Sequence, residues 1–418
     1  MRIGFFAKAL YLQKGGIERF SSRVSRYMQQ LGHECIIFHQ GSGNGSPLYP
    51  LHKDVQTCDL KLRSGATTER DRQKLIDANL DVMCVMNSSS LRLWFLQLLN
   101  HTGIPLLMSE RSSPAIIESF LWNRLERIAS FAAADGIHLL SDAYCDSIPD
   151  FLRSRITIIP NPAPKAQAVD WDKRNGPRKR ILAVGRLTEL DKKNSLLIEA
   201  FSLLGDDFPD WDCSICGEGD QWENYTKLIK RLSLEGRVLL EGQIDDVEPF
   251  YQTADIFCMP SAFEGSPNAL LEAQSYGLAS VGFSDCTGVN EVVVHGENGH
   301  LAEIMDAKSL ANALRPLMES SMLRRTMGEK AHKLLHRYDE DVLLRQWEEM
   351  LRSVAACKNN TRLNISKPTE EEYADLVVRE IITREDPLSG LEQTKIKQKR
   401  QFALEVIRAN VNIRSKRK

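Results

Sequence analysis

No stretch of this 418-residue chain approaches the roughly 18–20 consecutive apolar residues of a membrane span, so a crossing helix is not expected. A secretory leader is not expected either. Phe5-Phe6 is soon followed by Lys8 and then Lys14-Gly15-Gly16, too short and interrupted for a signal core. Nor is there a cysteine framework. Nine cysteines are scattered, and Cys213 and Cys216 form the one CxxC, inside Trp211-Asp212-Cys213-Ser214-Ile215-Cys216. That run reads as a strand, whereas a redox pair needs a helix start and a zinc site needs a second pair. Buried thiols in a reducing cytoplasm are the expectation. Charge of one sign is missing too. Basic residues number 54 and acidic residues 56, for a net charge of -2, which gives no chain-wide nucleic-acid footprint.

What is present is the composition of a soluble globular protein, 42% hydrophobic and 26% charged. The length suggests two domains of similar size, each with a full core. Residues 2–6 read as a buried strand. Gly15-Gly16 then opens an amphipathic helix with Ile17, Phe20, Val24 and Met28 at helical spacing, and Cys35-Ile36-Ile37-Phe38 is a second strand. Further strands are expected at 82–86, 106–108, 136–140 and 156–159, with helices at 90–99 and 119–132 among them. A second α/β series has strands at 180–184, 212–216, 237–240, 255–258 and 279–283. Its helices lie near 192–204, 221–234, 246–252 and 267–276. A helical segment at 307–338 and a last amphipathic helix at 342–354 follow.

The pattern predicts an α/β protein of two tandem Rossmann-like, doubly wound domains with a cleft between them. Expected boundaries are 1–163 for the first domain, 164–178 for a proline-rich linker and 179–355 for the second domain. The last helix of the second domain is expected to cross back to the first. Residues 356–418 form a charged extension. It ends in a basic tail that carries nine basic residues from Lys395 onward against the single acid Glu405.

Several loops at strand ends could carry chemistry. Gly15 and Gly16 leave a helix start open to a ligand or allow a plain tight turn; the dinucleotide GxGxxG is absent. Arg186, with Lys192 and Lys193, suits a diphosphate, because arginine forks two oxygens and lysine supplies a point charge. The competing reading is a solvated turn. Gly217 and Gly219 leave room for a flat ring or simply make a turn.

The sharpest run is Pro260 to Glu272. Ser266 and Pro267 enter a helix whose first amides, on Asn268, Ala269 and Leu270, can hold phosphate oxygens. Glu264 and Glu272 frame that entry and could reach one polyhydroxylated ligand. Gly288 to Gly299 is a further loop and turn, and Ser109-Glu110-Arg111 is a polar cluster at the end of the 106–108 strand.

These residues together resemble the retaining, nucleotide-sugar-dependent glycosyltransferases of family 4, which have the GT-B architecture. The resemblance spans about residues 2–355. It rests on Gly15-Gly16-Ile17-Glu18, Leu31-Gly32-His33-Glu34, Ile159-Pro160-Asn161-Pro162, Val184-Gly185-Arg186-Leu187, Gly217-Glu218-Gly219, the Pro260–Glu272 run and Gly288–Gly299. It implies that Gly16 lies against the donor diphosphate and that Arg186 with Lys192 or Lys193 binds the pyrophosphate. It further implies that Glu264 contacts the donor sugar, that Glu272 contacts the ribose and that the amides of 268–270 hold phosphate. It implies no metal or other cofactor, and no DxD-like acid pair stands ready for a metal.

Many family members have a histidine where this chain reads Ser109-Glu110-Arg111. A subgroup of bacterial surface-glycan transferases has a similar serine–glutamate–arginine loop. The three residues are therefore candidate acceptor or sugar contacts. The implied reaction moves a hexose or N-acetylhexosamine from a UDP-sugar to a glycan or lipid-linked acceptor in lipopolysaccharide or capsule synthesis. The expected location is cytoplasmic, with peripheral contact to an anionic membrane surface through the tail. The competing class is a non-catalytic nucleotide-sugar-binding or membrane-associated interaction protein.

Overall fold

The computed structural model describes residues 1–12, 15–41, 46–61, 69–86, 98–99, 102–118, 127–128, 130–165, 167, 171–174 and 178–357. The chain forms two compact units, one of Met1–Pro160 with Leu344 onward and one of Asn161–Leu343. The expected helices at 90–99 and 119–132 lie largely outside the described residues, and the basic tail lies wholly outside them.

The first unit is built on seven strands: β1 (Arg2–Phe6), β2 (Glu34–His39), β3 (Gln56–Asp59), β4 (Val82–Val85), β5 (Leu106–Ser109), β6 (Gly136–Leu139) and β7 (Ile156–Ile158). They form one sheet in the order β3-β2-β1-β4-β5-β6-β7, with parallel pairing at each of its six ladders. The central strands are continuous apolar runs, since a parallel sheet covered on both faces has no wet side. Accordingly β4, β5 and β6 are buried along their whole length.

The helix Gly16–Gln30 returns from β1 to β2, and its buried face includes Phe20, Val24 and Met28. The strand β3 is not among the strands expected from the sequence. It is an edge strand, exposed or half-buried along its length, so no apolar alternation marks it.

The second unit holds β8 (Lys179–Val184), β9 (Trp211–Cys216), β10 (Val238–Gly242), β11 (Ile256–Met259), β12 (Ala279–Phe283) and β13 (Gly299–Ala302). Their order is β10-β9-β8-β11-β12-β13, again with parallel ladders. The strand β13 starts at the last residue of the loop and turn expected at Gly288–Gly299, in a stretch to which the sequence assigned no element. The helical segment expected at 307–338 is interrupted. Ser320 adopts an extended conformation between the helices Ala307–Glu319 and Ser321–Leu334, and its hydroxyl accepts the Leu323 N–H at 3.1 Å. The break is thus a serine N-cap inserted between two helices.

Two features concern the ends of the second unit. Part of the stretch read as linker is anchored to the second unit. The Arg174 guanidinium donates to the carbonyls of Tyr276 at 2.5 Å and Gly277 at 3.3 Å, where the helix Asn268–Ser275 ends. It thereby satisfies carbonyls that a helix end leaves without internal partners. The helix Glu340–Ala356, in turn, crosses the boundary, and from Leu344 onward it belongs to the first unit. Trp347 is fully buried there, with its ring 5.0 Å from Phe20 and 4.4 Å from His138. Glu348 lies 2.9 Å from His33 Nε2. Among the described residues no helix is long and apolar enough to cross a membrane.

Candidate functional site

In the second unit the chain runs β8, β9, β10 outward on one side, then returns to place β11 on the other side of β8. That reversal is a topological switch point, where loops at the carboxyl ends of neighbouring strands diverge and leave a crevice for ligands. The loops leaving β8 and β11 are Gly185–Lys193 and Pro260–Pro267, the two runs singled out by their charge.

Their side chains are interlocked. Lys192 Nζ lies 2.5 Å from Glu264 Oε1, and the Ser261 hydroxyl donates to that same oxygen at 2.7 Å. Glu264 is buried, whereas the Arg186 side chain is 65% exposed. One Arg186 nitrogen, Nη2, donates to Asp191 Oδ2 at 2.9 Å. The other Asp191 oxygen accepts the Thr188 hydroxyl, and its backbone carbonyl accepts the Ala262 N–H at 2.8 Å. A second acid pins the same loop, because Glu189 accepts from Ser195 at 2.6 Å and from the Tyr225 hydroxyl at 2.9 Å. Asp191, Thr188, Ser261 and Glu189 were not singled out in the sequence. Their only signal there is proximity to the charged motifs.

The structure separates the two lysines. Lys192 points its ammonium at Glu264. Lys193 occupies the left-handed region at φ 46°, ψ 41° and forms the N-terminal cap of the helix Asn194–Leu204. Its distinctive property is a backbone conformation and not a charged contact.

The two glycines after β9 permit a close approach of backbone. A Cβ on Gly217 would lie 1.9 Å from the Gly185 carbonyl oxygen, and one on Gly219 would lie 2.2 Å from that of Leu187. The room they leave is filled by the backbone of the β8 loop. Two bonds seal it: Leu187 N–H to Glu218 O at 2.8 Å and Gln221 N–H to Leu187 O at 3.1 Å. The preceding CxxC lies in β9, as its strand pattern suggested. Both thiols are free and buried, and desolvation pushes Cys216 up to about 12 and Cys213 higher still.

The helix Asn268–Ser275 begins after Pro267. Its three candidate amides are not equivalent. Asn268 N–H already donates to Ser266 O at 2.9 Å, and Leu270 N–H donates to Pro267 O at 3.0 Å. The Asn268 side chain is engaged as well, accepting from Asn161 at 2.9 Å. Of the three amides, that of Ala269 has no backbone bond among the described residues. Glu272, expected to share a ligand with Glu264, has a separate partner: it accepts the Tyr251 hydroxyl at 3.0 Å.

In the first unit Gly15 is extended and caps the helix that starts at Gly16. The Glu18 carboxylate accepts the Ala9 N–H at 3.3 Å, and burial raises its pKa against the opposing backbone bonds. Ser109 and Glu110, read as sugar or acceptor contacts, are instead buried and engaged. The Ser109 hydroxyl lies 2.9 Å from His138 Nδ1, and His138 Nε2 lies 2.8 Å from Ile159 O. Desolvation first, and the nearby Arg111 charge second, lower the His138 pKa to about 3, so the ring is neutral.

Glu110 receives Arg127 in a forked pair, with Nη2 and Nε at 2.7–3.0 Å from its two oxygens. Both side chains are essentially inaccessible. Arg127 escaped the sequence reading because it stands in a segment that reads as an ordinary helix. The Arg111 guanidinium covers the Phe20 ring at 3.8 Å.

Residues 14–166 match the family described as "Glycosyltransferase Family 4", and residues 169–334 match "Glycosyl transferases group 1". The chain is 27% identical over 361 residues to an uncharacterized glycosyltransferase of Haemophilus influenzae, covering 84% of this chain and 99% of that one. It is 32% identical over 155 residues to the lipopolysaccharide core biosynthesis glycosyltransferase LpsE of Rhizobium meliloti, which covers 37% of this chain and 44% of LpsE. Among solved structures, HepE of Anabaena, crystallised with UDP and glucose, superposes with a TM-score of 0.71 at 17% identity. That match covers 84% of this chain and 100% of HepE. It shows the shared tandem Rossmann-like architecture.

Proposed function

Because the chain is a glycosyltransferase of the GT-B fold, related to the family 4 and group 1 enzymes, we propose how it uses this site. It takes a hexose or N-acetylhexosamine from a UDP-sugar and passes it, with retention, to a glycan or lipid-linked acceptor of a surface polysaccharide. One observation carries the reading: an exposed arginine and a carboxylate-held lysine, Arg186 and Lys192, stand together at the switch point of the second sheet. The UDP of HepE and the lipopolysaccharide pathway of LpsE support the donor and the acceptor class.

Glycosyl transfer builds positive charge at the anomeric carbon and negative charge on the departing diphosphate. Fixed cations aimed at that diphosphate stabilise it without reorganising during the reaction. Arg186 supplies a fork and Lys192 a point charge. Glu264 then faces the donor hydroxyls while it holds Lys192, and Glu272 takes the ribose. Of the helix-start amides, that of Ala269 takes phosphate, since its neighbours are already bonded. Ser109 and Glu110 have no role toward the acceptor in this reading.

The test is a panel of nucleotide sugars offered to the full chain, with binding and slow donor hydrolysis as readouts. A UDP-sugar should bind and be hydrolysed slowly in the absence of acceptor. Failure of every nucleotide sugar to bind the folded protein would sink the proposal. Retention is read from the anomeric configuration of the transferred sugar.

A further inference from the structure

Asp191 is a buried acid with three attachments, each to a different part of the site. One oxygen accepts from Arg186 Nη2, the other from the Thr188 hydroxyl, and its backbone carbonyl accepts the Ala262 N–H. We propose that Asp191 is a positioning residue for glycosyl transfer, one that aims the Arg186 guanidinium and locks its loop to the loop carrying Glu264. The inference rests on the donor-site reading above.

The physical reason lies in the exposure of the two partners. The Arg186 side chain is 65% exposed and that of Asp191 only 10%. An exposed arginine left alone samples many rotamers, and each turnover would have to bring it back to the diphosphate. The bond to a buried acid removes most of that search in advance. The acid itself cannot swing, because Thr188 holds its second oxygen and Ala262 its backbone. Asp191 engages one nitrogen of the fork and leaves Nε and Nη1 outside that bond. The guanidinium therefore keeps donors for a diphosphate while its direction is set.

The same design recurs at Lys192, whose ammonium is held by Glu264, itself steered by Ser261. The negative charge of Asp191 repels a diphosphate. Its contribution is therefore orientation rather than attraction, and it belongs to the transition state more than to ground-state binding.

The experiment uses the full chain and a UDP-sugar that the wild type hydrolyses, with UDP itself as the binding probe. Asp191→Asn should lower kcat about 10- to 100-fold, the scale of a misplaced catalytic group. KM and the Kd for UDP should change less than about threefold. In an Arg186→Ala background the same substitution should cost less than about twofold, because the group it aims is gone. A residue that only stabilised the fold would cost as much in both backgrounds. Wild-type kcat in Asp191→Asn, or equal losses with and without Arg186, would overturn the inference.

If Asp191→Asn does not fold, Thr188→Val takes its place, since it strips only the hydroxyl that steers the acid. It should lower kcat in the same direction and only when Arg186 is present; no loss overturns the inference. Should Arg186→Ala itself leave UDP binding and turnover intact, the donor-site reading falls as well. A crippled Arg186→Ala beside a neutral Asp191→Asn removes the positioning role alone.

Discussion

Lys192 Nζ and Glu264 Oε1, 72 residues apart in the chain, meet at 2.5 Å across the switch point of the second sheet. The next residue, Lys193, makes no such contact among the described residues and instead turns the backbone through a left-handed conformation into a helix. Two adjacent lysines, alike in the sequence, thus have different physical tasks.

That difference sets the first prediction. Lys192→Ala should lower kcat for donor hydrolysis by about 100-fold or more, the scale seen when a preorganised charge-stabilising donor is removed. Lys193→Gly should keep activity within about twofold. It should also leave stability equal or higher, because glycine adopts positive φ without the cost a side chain incurs. Steady-state kinetics and thermal melts of the two variants check both halves.

The glycines after β9 set the second. Gly219→Ala would push a methyl against the Leu187 carbonyl, where 2.2 Å is far inside contact distance. The β8 loop must then shift, and Arg186 with it. Donor affinity, measured as UDP binding, should fall at least about tenfold. The sheet itself should persist by circular dichroism.

The buried pair of the first unit sets the third. Glu110→Ala leaves the Arg127 guanidinium buried with its forked partner removed. Breaking a buried pair from one side costs about 3–5 kcal/mol. Urea unfolding should show a loss of that size, and Arg127→Ala should show a similar one. Had Glu110 been a sugar contact, its loss would instead affect turnover at constant stability.

The fourth concerns pH. The folded His138 pKa, about 3, lies below its ordinary value of 6.5. A depressed histidine favours the folded state above its unfolded pKa and loses that contribution as pH falls toward the folded one. The first unit should therefore weaken as pH falls from about 6.5 toward 3. His138→Gln should flatten that part of the stability profile while lowering stability at pH 7. Urea midpoints measured across this window provide the check.

Much of the architecture was legible in the residues themselves. Central strands such as Cys35-Ile36-Ile37-Phe38 and Ile256-Phe257-Cys258-Met259 are buried on both faces, so they must be apolar throughout, and such runs announce themselves. Of the four edge strands, β7 and β10 keep apolar runs and were legible, whereas β3 and β13 carry Gln56, Thr57 and His300, which a strand paired on one side tolerates, and were not. The charged loops were also legible, since Arg186, Lys192 and Glu264 sit just past strand ends in a repeated α/β pattern.

The sequence by itself determined that two α/β units stand in tandem and that their chemistry lies at strand ends, because burial periodicity and glycine-bearing loops are local properties. Only the tertiary structure decided which charge meets which. It gave Lys192 rather than Lys193 to Glu264, enclosed Glu110 with Arg127 and filled the space at Gly217 and Gly219 with backbone. Each of these is a pairing between distant segments. Its energy depends on separation and burial, which no spacing along the chain records.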